Sequence, residues 1–262
     1  MIVIVIFIVC FISSTIGGIC GIGGGVIIKP VLDAIGIMDV VKISFLSGCT
    51  VLAMSIVTFL RNRKENGVID LKRITPLALG AVIGGVIGKK IFDILKQIFK
   101  NSNYVGAVQA GILIIITILT FVYTIKKSKV KSHDINNSTV CAFIGLTLGM
   151  VSAFLGIGGG PINIMVLHFF FSMDTKKAAA NSLYIIMLSQ LSSLVQSFVT
   201  NTVPTVGLNV LLVMIIAGIT GGILGGNLNK GISIKSVEQL FLSAMGIIIL
   251  INVYNFVMFA FL

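Results

Sequence analysis

Long apolar runs follow one another along almost the whole chain, each bounded by charged residues, Gly or Pro. A helix needs about 20 apolar residues to cross a bilayer, and the runs lack the alternation of a membrane β-barrel. Only 10% of the residues are charged, and the mean hydropathy is +1.13. This composition excludes a water-soluble domain, a disordered chain and a nucleic-acid-binding module. We predict an all-α, multi-pass membrane protein.

The boundaries of the runs predict ten segments, and a polar stretch divides them into two groups of five. They are 1–19, 26–37, 43–60, 74–89, 104–125, 139–155, 161–172, 179–199, 207–228 and 239–262. We therefore expect a first transmembrane repeat over 1–125, a cytoplasmic linker over 126–138 and a second repeat over 139–262. The N-terminal run lacks a basic region before it, which favours a retained membrane helix over a cleaved signal.

A pentapeptide, Gly-Ile-Gly-Gly-Gly, occurs twice, at 21–25 and at 156–160. The same separation of 135 residues aligns further identical residues. They are Met38-Asp39 with Met173-Asp174, Lys42 with Lys177, and Ser47 with Ser182. Several identities at one constant separation indicate a duplicated half.

The distribution of Lys and Arg indicates how the two halves are oriented. If each pentapeptide turns the chain back, the connections 61–73, 126–138, 173–178 and 229–237 share one face and carry 13 of the 19 basic residues. The opposite face then has 5, and Lys29 belongs to neither. If each pentapeptide lies in one continuous span, the two faces carry nine each. Only the first arrangement follows the positive-inside rule, so we predict inverted repeats, each opening with a Gly-broken helical hairpin, and both termini outside.

The two pentapeptides are the predicted binding site. The segments after them have 12 residues, about 18 Å of helix at 1.5 Å per residue, so each must begin near the middle of the bilayer. Free N–H groups at a helix start, with the positive end of the helix dipole, favour a small anion. The candidate residues are Gly21, Gly23, Gly24, Gly25, Gly156, Gly158, Gly159 and Gly160.

The alternative is that glycines only allow helices to approach closely. We expect that role for Gly80, Gly84 and Gly88, and for Gly218, Gly222 and Gly226, because a spacing of four places each set on one helix face. A nucleotide-binding loop is excluded, because neither pentapeptide continues to GK[ST].

The chain resembles the sulfite exporter TauE/SafE family of membrane transporters. The resemblance rests on Gly21–Gly25 followed by Val26-Ile27-Ile28-Lys29-Pro30, on Gly156–Gly160, and on Ala179-Ala180-Asn181-Ser182-Leu183. It spans both halves in order. It implies export of small anionic sulfur compounds, such as sulfite or sulfonates.

The chain also departs from the family's pattern. Where the family usually has a Thr-Ser pair, it has Leu46-Ser47 and Asn181-Ser182. The second short segment opens with Pro161 and lacks the family's proline at Met165. These differences make the two halves chemically unequal.

Several polar residues near the short segments are further candidates. Lys29 either contacts a bound anion directly or extends to an interface. Asp33 and His168 occupy equivalent positions and are candidates for proton coupling; the alternative places both near helix ends in contact with solvent. Ser47, Asn163, Asn181 and Ser182 either donate hydrogen bonds to the anion or join helices.

These features predict a secondary transporter of a small anion, working by alternating access around a midplane site. The resemblance implies an exporter of a sulfur oxyanion or organosulfonate in the bacterial inner membrane. The alternatives are a passive anion channel and, less favoured, a carboxylate transporter. We expect no enzyme activity, because no nucleophile–base or metal-ligand constellation is present, and no cofactor or metal. The four cysteines lie in apolar runs without CxxC spacing. The expected partners are the substrate and the lipid bilayer, not nucleic acid; homo-oligomer formation stays open.

Overall fold

The structure is a computed structural model, and it describes residues 2–62, 71–99, 101–135 and 137–261. Within these residues it contains ten α-helices, one short 3-10 helix at Lys127–Lys129, and no strand. The α-helices are α1 (Ile2–Cys20), α2 (Gly25–Ile35), α3 (Val40–Asn62), α4 (Leu71–Ile98), α5 (Ser102–Lys126), α6 (Ser138–Leu155), α7 (Pro161–Phe171), α8 (Thr175–Val199), α9 (Leu208–Gly231) and α10 (Ile234–Phe261).

The ten predicted segments correspond one to one with the ten helices, which confirms the all-α prediction. The main difference is α4, which continues well past the predicted end at residue 89. Lys89 pairs with Asp93 one turn later, at 2.8 Å, so the charged residues extend the helix instead of ending it. Most of the predicted basic connection 61–73, including Arg63 and Lys64, and also Lys100, lies outside the described residues.

Seven of the helices are long and apolar enough to cross a membrane: α1, α3, α5, α6, α8, α9 and α10. Large apolar side chains on several of them point outward; Leu250 is 72% exposed and Phe143 is 70% exposed. Such exposure would be unfavourable in water but is expected for side chains that contact lipid. The fold is therefore that of a multi-pass membrane protein.

The helices of the two halves pack on each other reciprocally. Helix α1 packs along α9 as α6 packs along α4, and α3 contacts α9 as α8 contacts α4. Since α1, α3 and α4 correspond to α6, α8 and α9, each contact has a counterpart in which the halves are exchanged. An exchange of this kind is what an approximate two-fold relation between the halves produces.

The glycines spaced four apart have the predicted packing role. Gly80, Gly84 and Gly88 lie against the α6 backbone, and Gly218, Gly222 and Gly226 lie against side chains of α3. A side chain at Gly84 would collide with the carbonyl group of Leu146, so only glycine allows the two helices to approach this closely.

Contacts place the connections of the chain on two opposite faces. On one face, the connection 126–138, which the charge count assigns to the cytoplasm, contacts the ends of neighbouring helices: Asp134 with Arg73, His133 with Phe169, and Lys127 with Glu238. On the other face, Ser102 Oγ donates to Asp39 Oδ2 at 2.6 Å. The grouping agrees with the charge count; the assignment of one face to the cytoplasm stays a prediction.

The two short helices end at opposite ends of α5. The connection after α2 contacts Ser102, the first residue of α5, through Asp39. Near the end of α7, His168 Nδ1 lies 2.9 Å from the hydroxyl of Tyr123, close to the last residue of α5. These contacts favour opposite directions for α2 and α7, and the inverted orientation of the repeats stays a prediction.

Candidate functional site

Both pentapeptides interrupt the chain between a long helix and a short one. After α1, Gly21 and Gly23 have φ of 72°, and after α6 the four glycines 156, 158, 159 and 160 have φ between 59° and 101°. Side chains with a Cβ rarely adopt this left-handed region. The glycines are therefore needed by the backbone of both turns, which accounts for their duplication.

The two glycine turns lie against each other, with reciprocal contacts. A Cβ atom on Gly25 would lie 2.7 Å from the carbonyl oxygen of Ile157, in the other turn. Val51 of α3 and Ile186 of α8, themselves 135 residues apart, lie beside both Gly23 and Gly158. The sequence prediction that the two glycine runs meet is thus consistent with the contacts.

The two short helices begin without a side-chain cap. Gly24 precedes α2 and Gly160 precedes α7, and neither has a side chain that could accept a hydrogen bond from the first turn. Helices α5, α6 and α8, in contrast, are capped by Asn101, Asn137 and Asp174. The N–H groups at the two short-helix starts therefore have no side-chain acceptor, and the positive ends of both helices face the glycine turns.

Buried polar atoms without a hydrogen-bond partner lie around these turns. Ser14 Oγ and Ser47 Oγ are both unpartnered, and they would lie 2.7 and 2.9 Å from a Cβ on Gly24 and on Gly25. Asn163 Oδ1 is unpartnered beside Gly159, and Ser182 Oγ, on α8, is unpartnered as well. Unsatisfied buried polar atoms cost free energy, so these four atoms are candidate contacts for a ligand.

Asn181, another predicted site residue, is already engaged. Its Nδ2 donates to the carbonyl oxygen of Lys177 at 2.8 Å, within α8, and its side chain is buried. This contact favours the alternative in which Asn181 supports the helix, while its neighbour Ser182 keeps a hydroxyl without a partner.

Lys29 and Asp33 form a buried ion pair on α2. Lys29 Nζ lies 2.6 Å from Asp33 Oδ2, and the two side chains are 5% and 4% exposed. This burial argues against the alternative in which Lys29 extends to an interface. Asp33 is near the end of α2 as expected, but it is buried and not in contact with solvent, because Lys29 neutralises its charge.

His168 occupies the equivalent position on α7 and has different partners. Besides the Tyr123 hydroxyl, it shares a small cavity of about 10 Å³ with Lys127, Thr175 and Glu238. Lys29 and Asp33 line a corresponding cavity of about 10 Å³ with Gln109 and Asn252. The two candidate proton-coupling residues thus lie on the α5–α10 side of the short helices.

A cavity of about 30 Å³ reaches the glycine turns from another side. It lies among α3, α4 and α8 and ends at Gly156, beside Ser44. Sequence analysis did not group its polar lining as a site: Ser44, Lys89, Gln190, Ser193 and Ser197. Gln190, Ser193 and Ser197 follow one another at helical spacings of three and four along α8, which is the sequence signal that could have indicated a polar helix face.

Comparisons with known proteins agree with this architecture. The family model described as Sulfite exporter TauE/SafE matches residues 6–252. The chain belongs to this family. A protein of Methanocaldococcus jannaschii described as a probable membrane transporter protein is 26% identical over 256 residues, which cover 92% of each chain. No solved structure matches the chain.

Membership of the TauE/SafE family decides between a membrane transporter and an enzyme. It confirms the predicted family and the prediction of a membrane transporter over an enzyme. It also implies a small-molecule substrate and a lipid environment, as expected from the apolar helices.

Proposed function

We propose that the protein is a secondary transporter that exports a small anion through a site formed by the two glycine turns near the middle of the bilayer. The observation that carries this proposal is the cluster of unpartnered buried polar atoms beside two uncapped helix starts. An anion between the turns would accept hydrogen bonds from the helix N–H groups and from Ser47 and Ser182.

Three further residues complete the proposed site. Asn163 can turn its amide group towards the anion beside Gly159. Lys29 lies one turn into α2 and would supply a positive charge if the anion competes with Asp33 for it. Asn181 would hold the start of α8 in place, next to Ser182.

We propose a sulfur oxyanion or an organosulfonate as the substrate. The family is described by sulfite export, and a compact anion with several oxygen atoms can accept hydrogen bonds from both turns at once. A carboxylate has only two acceptor oxygens, so we rank it lower.

Alternating access would follow from movement of one repeat against the other. The reciprocal packing of the halves and the opposite ends reached by α2 and α7 support inverted repeats. An anion leaving a cell that is negative inside is driven outward by the membrane potential. A uniport mechanism therefore needs no proton, although Asp33 and His168 stay candidates for proton coupling.

A thermal-shift screen of the purified protein tests the site and the substrate together. Sulfite, sulfate, thiosulfate, sulfoacetate, carboxylates and halides would be compared, and a ligand at 100 times its Kd is expected to stabilise the protein by about 2.7 kcal/mol. Gly24→Val and Gly159→Val should abolish both this shift and transport. Gly246→Val is the matched control, because no atom lies within 4 Å of a Cβ at that position of α10. Normal transport by both glycine-turn variants would contradict the proposal.

Flux measurements separate a transporter from a passive anion channel. In proteoliposomes, a transporter gives saturable flux that is stimulated by substrate on the opposite side, because the site must return to the first face. Unsaturated conductance without such stimulation would favour the channel.

A further inference from the structure

The cavity of about 30 Å³ reaches the second glycine turn at Gly156. It extends from Gly156 towards Pro204, in the connection between α8 and α9. At the equivalent place in the first half, Gly21 lies directly against Ala179. The ring of Phe59, on α3, is stacked on the ring of Tyr184, on α8, with a centroid distance of 4.9 Å. The surroundings of Gly156 and of Gly21 are therefore different, and we call these two places the ends of the route between the halves.

A buried cation lines this cavity. The Lys89 side chain is 11% exposed, and its Nζ lies 2.8 Å from Asp93 Oδ1 and 4.7 Å from the ring centroid of Phe92. The glycines before Lys89 align with glycines of the second repeat at a separation of 137 residues, as Gly88 does with Gly225. At this separation the counterpart of Lys89 is Gly226. The positive charge is thus present in one half only, on the side where the cavity lies.

The cavity also contains an unpartnered hydroxyl. Ser44 Oγ is buried without a hydrogen-bond partner, and Ser44 lies beside Gly156 at the inner end of the cavity. Its counterpart in the other half is Ala179, which has no polar group. A cation and a free donor in the same confined cavity favour an anion there.

Asp93 is the partner that an anion would have to replace. Its other oxygen, Oδ2, accepts from Thr202 Oγ1 at 3.4 Å, so the carboxylate keeps a hydrogen bond when Lys89 turns away. Lys89 has a flexible stem and can reorient within the cavity.

We propose that Lys89 and Ser44 form a second oxyanion subsite, through which the transported anion passes between the glycine turns and this face, with Asp93 competing for Lys89. This inference rests on the proposed function in taking a small oxyanion as the ligand. The subsite is asymmetric, because the positions equivalent to Lys89 and Ser44 in the second half are Gly226 and Ala179.

A thiol reporter in the cavity tests the electrostatic part without any substrate. Ser193→Cys, in a chain whose four native cysteines are replaced by alanine, would be modified by sulfonatoethyl and by trimethylammonioethyl methanethiosulfonate. Lys89→Gln should lower the ratio of the anionic to the cationic rate about tenfold, and Asp93→Asn should raise it. Lys90→Gln is the matched control, because Lys90 is the exposed neighbour on α4. A ratio that responds equally to Lys89→Gln and Lys90→Gln would overturn the subsite.

Sulfite binding to the purified protein tests the ligand. Lys89→Gln and Ser44→Ala should weaken binding about tenfold, whereas Asp93→Asn should tighten it. The opposite signs matter: an ion pair that only stabilises the fold would make Lys89→Gln and Asp93→Asn change binding in the same direction, and that result would contradict the subsite.

The two proposals fail in different ways. If the wild type binds sulfite and Gly159→Val abolishes binding, but Lys89→Gln behaves as Lys90→Gln does, the glycine site stands and the subsite is wrong. If the thiol reporter responds to Lys89 but sulfite does not bind the wild type, the anion-attracting cavity stands and sulfite is the wrong substrate.

Discussion

The two short helices, α2 and α7, have the same length but differ in the side chains that they carry. Both follow a glycine turn and begin without a side-chain cap. Lys29 and Asp33 form a buried ion pair on α2, and at the equivalent positions α7 has Ile164 and His168. The duplication thus retains the glycine break before each short helix, while the charges beside each break have diverged.

The Lys29–Asp33 ion pair gives the largest expected difference between the halves in the effect of a substitution on the free energy of unfolding. Lys29→Met or Asp33→Asn alone should lower the free energy of unfolding by about 3–5 kcal/mol, because each leaves an uncompensated buried charge. The double variant should recover most of the loss. Denaturant unfolding in detergent micelles measures all three.

Ile164→Met is the control at the equivalent position of α7. A substitution that conserves volume and polarity in a core should cost less than about 1.5 kcal/mol. Lys29→Met and Asp33→Asn could each lower the free energy of unfolding no more than Ile164→Met does, with additive effects in the double variant. In that case the ion pair does not stabilise the first half, and the two halves do not differ in this respect.

Glycines with a positive φ allow a finer comparison. Gly21 and Gly36 have nearly the same φ, 72° and 69°, but a Cβ on Gly21 would collide with Ala179, whereas no atom lies within 4 Å of one on Gly36. Gly36→Ala should therefore cost only the left-handed conformation, about 1 kcal/mol. Gly21→Ala should cost about 3 kcal/mol, because packed backbone must move as well.

Gly156→Ala should fall between these two. Its Cβ would lie 3.0 Å from the Ser44 side chain, at the end of the cavity, where the neighbour can shift. Thermal unfolding of the three alanine variants gives the order directly. Equal losses at Gly21 and Gly156 would mean that the two ends of the route are packed alike.

The positions of the helices could be predicted from the sequence because apolar runs and helix caps are local features. Asp174 shows this well: it stands before α8, and its carboxylate accepts from the N–H groups of Lys176 and Lys177, as its place before the run predicts. The glycine turns were also predictable, since only glycine suits such a repeated break.

The partners of buried polar residues were harder to predict, because they depend on which helix faces meet. Lys29 and Asp33 are four residues apart, a spacing that permits an ion pair on any helix, but the sequence alone left each available for a substrate or a proton. The importance of Lys89 depends on the cavity beside it, which α3 and α8 enclose from distant parts of the chain.

The smallest expected effect concerns the second half. Tyr123→Phe removes the hydroxyl that lies 2.9 Å from His168 Nδ1, and it should cost about 1 kcal/mol, the usual net value of a hydrogen bond. Because this pair lies near the end of α7, away from its glycine turn, sulfite binding should not change. The pH dependence of sulfite exchange in proteoliposomes should also stay as in the wild type. A shifted pH profile would instead make His168 the proton-coupling residue, and the second half would then carry the ion-coupling role while the first carries the permanent charges.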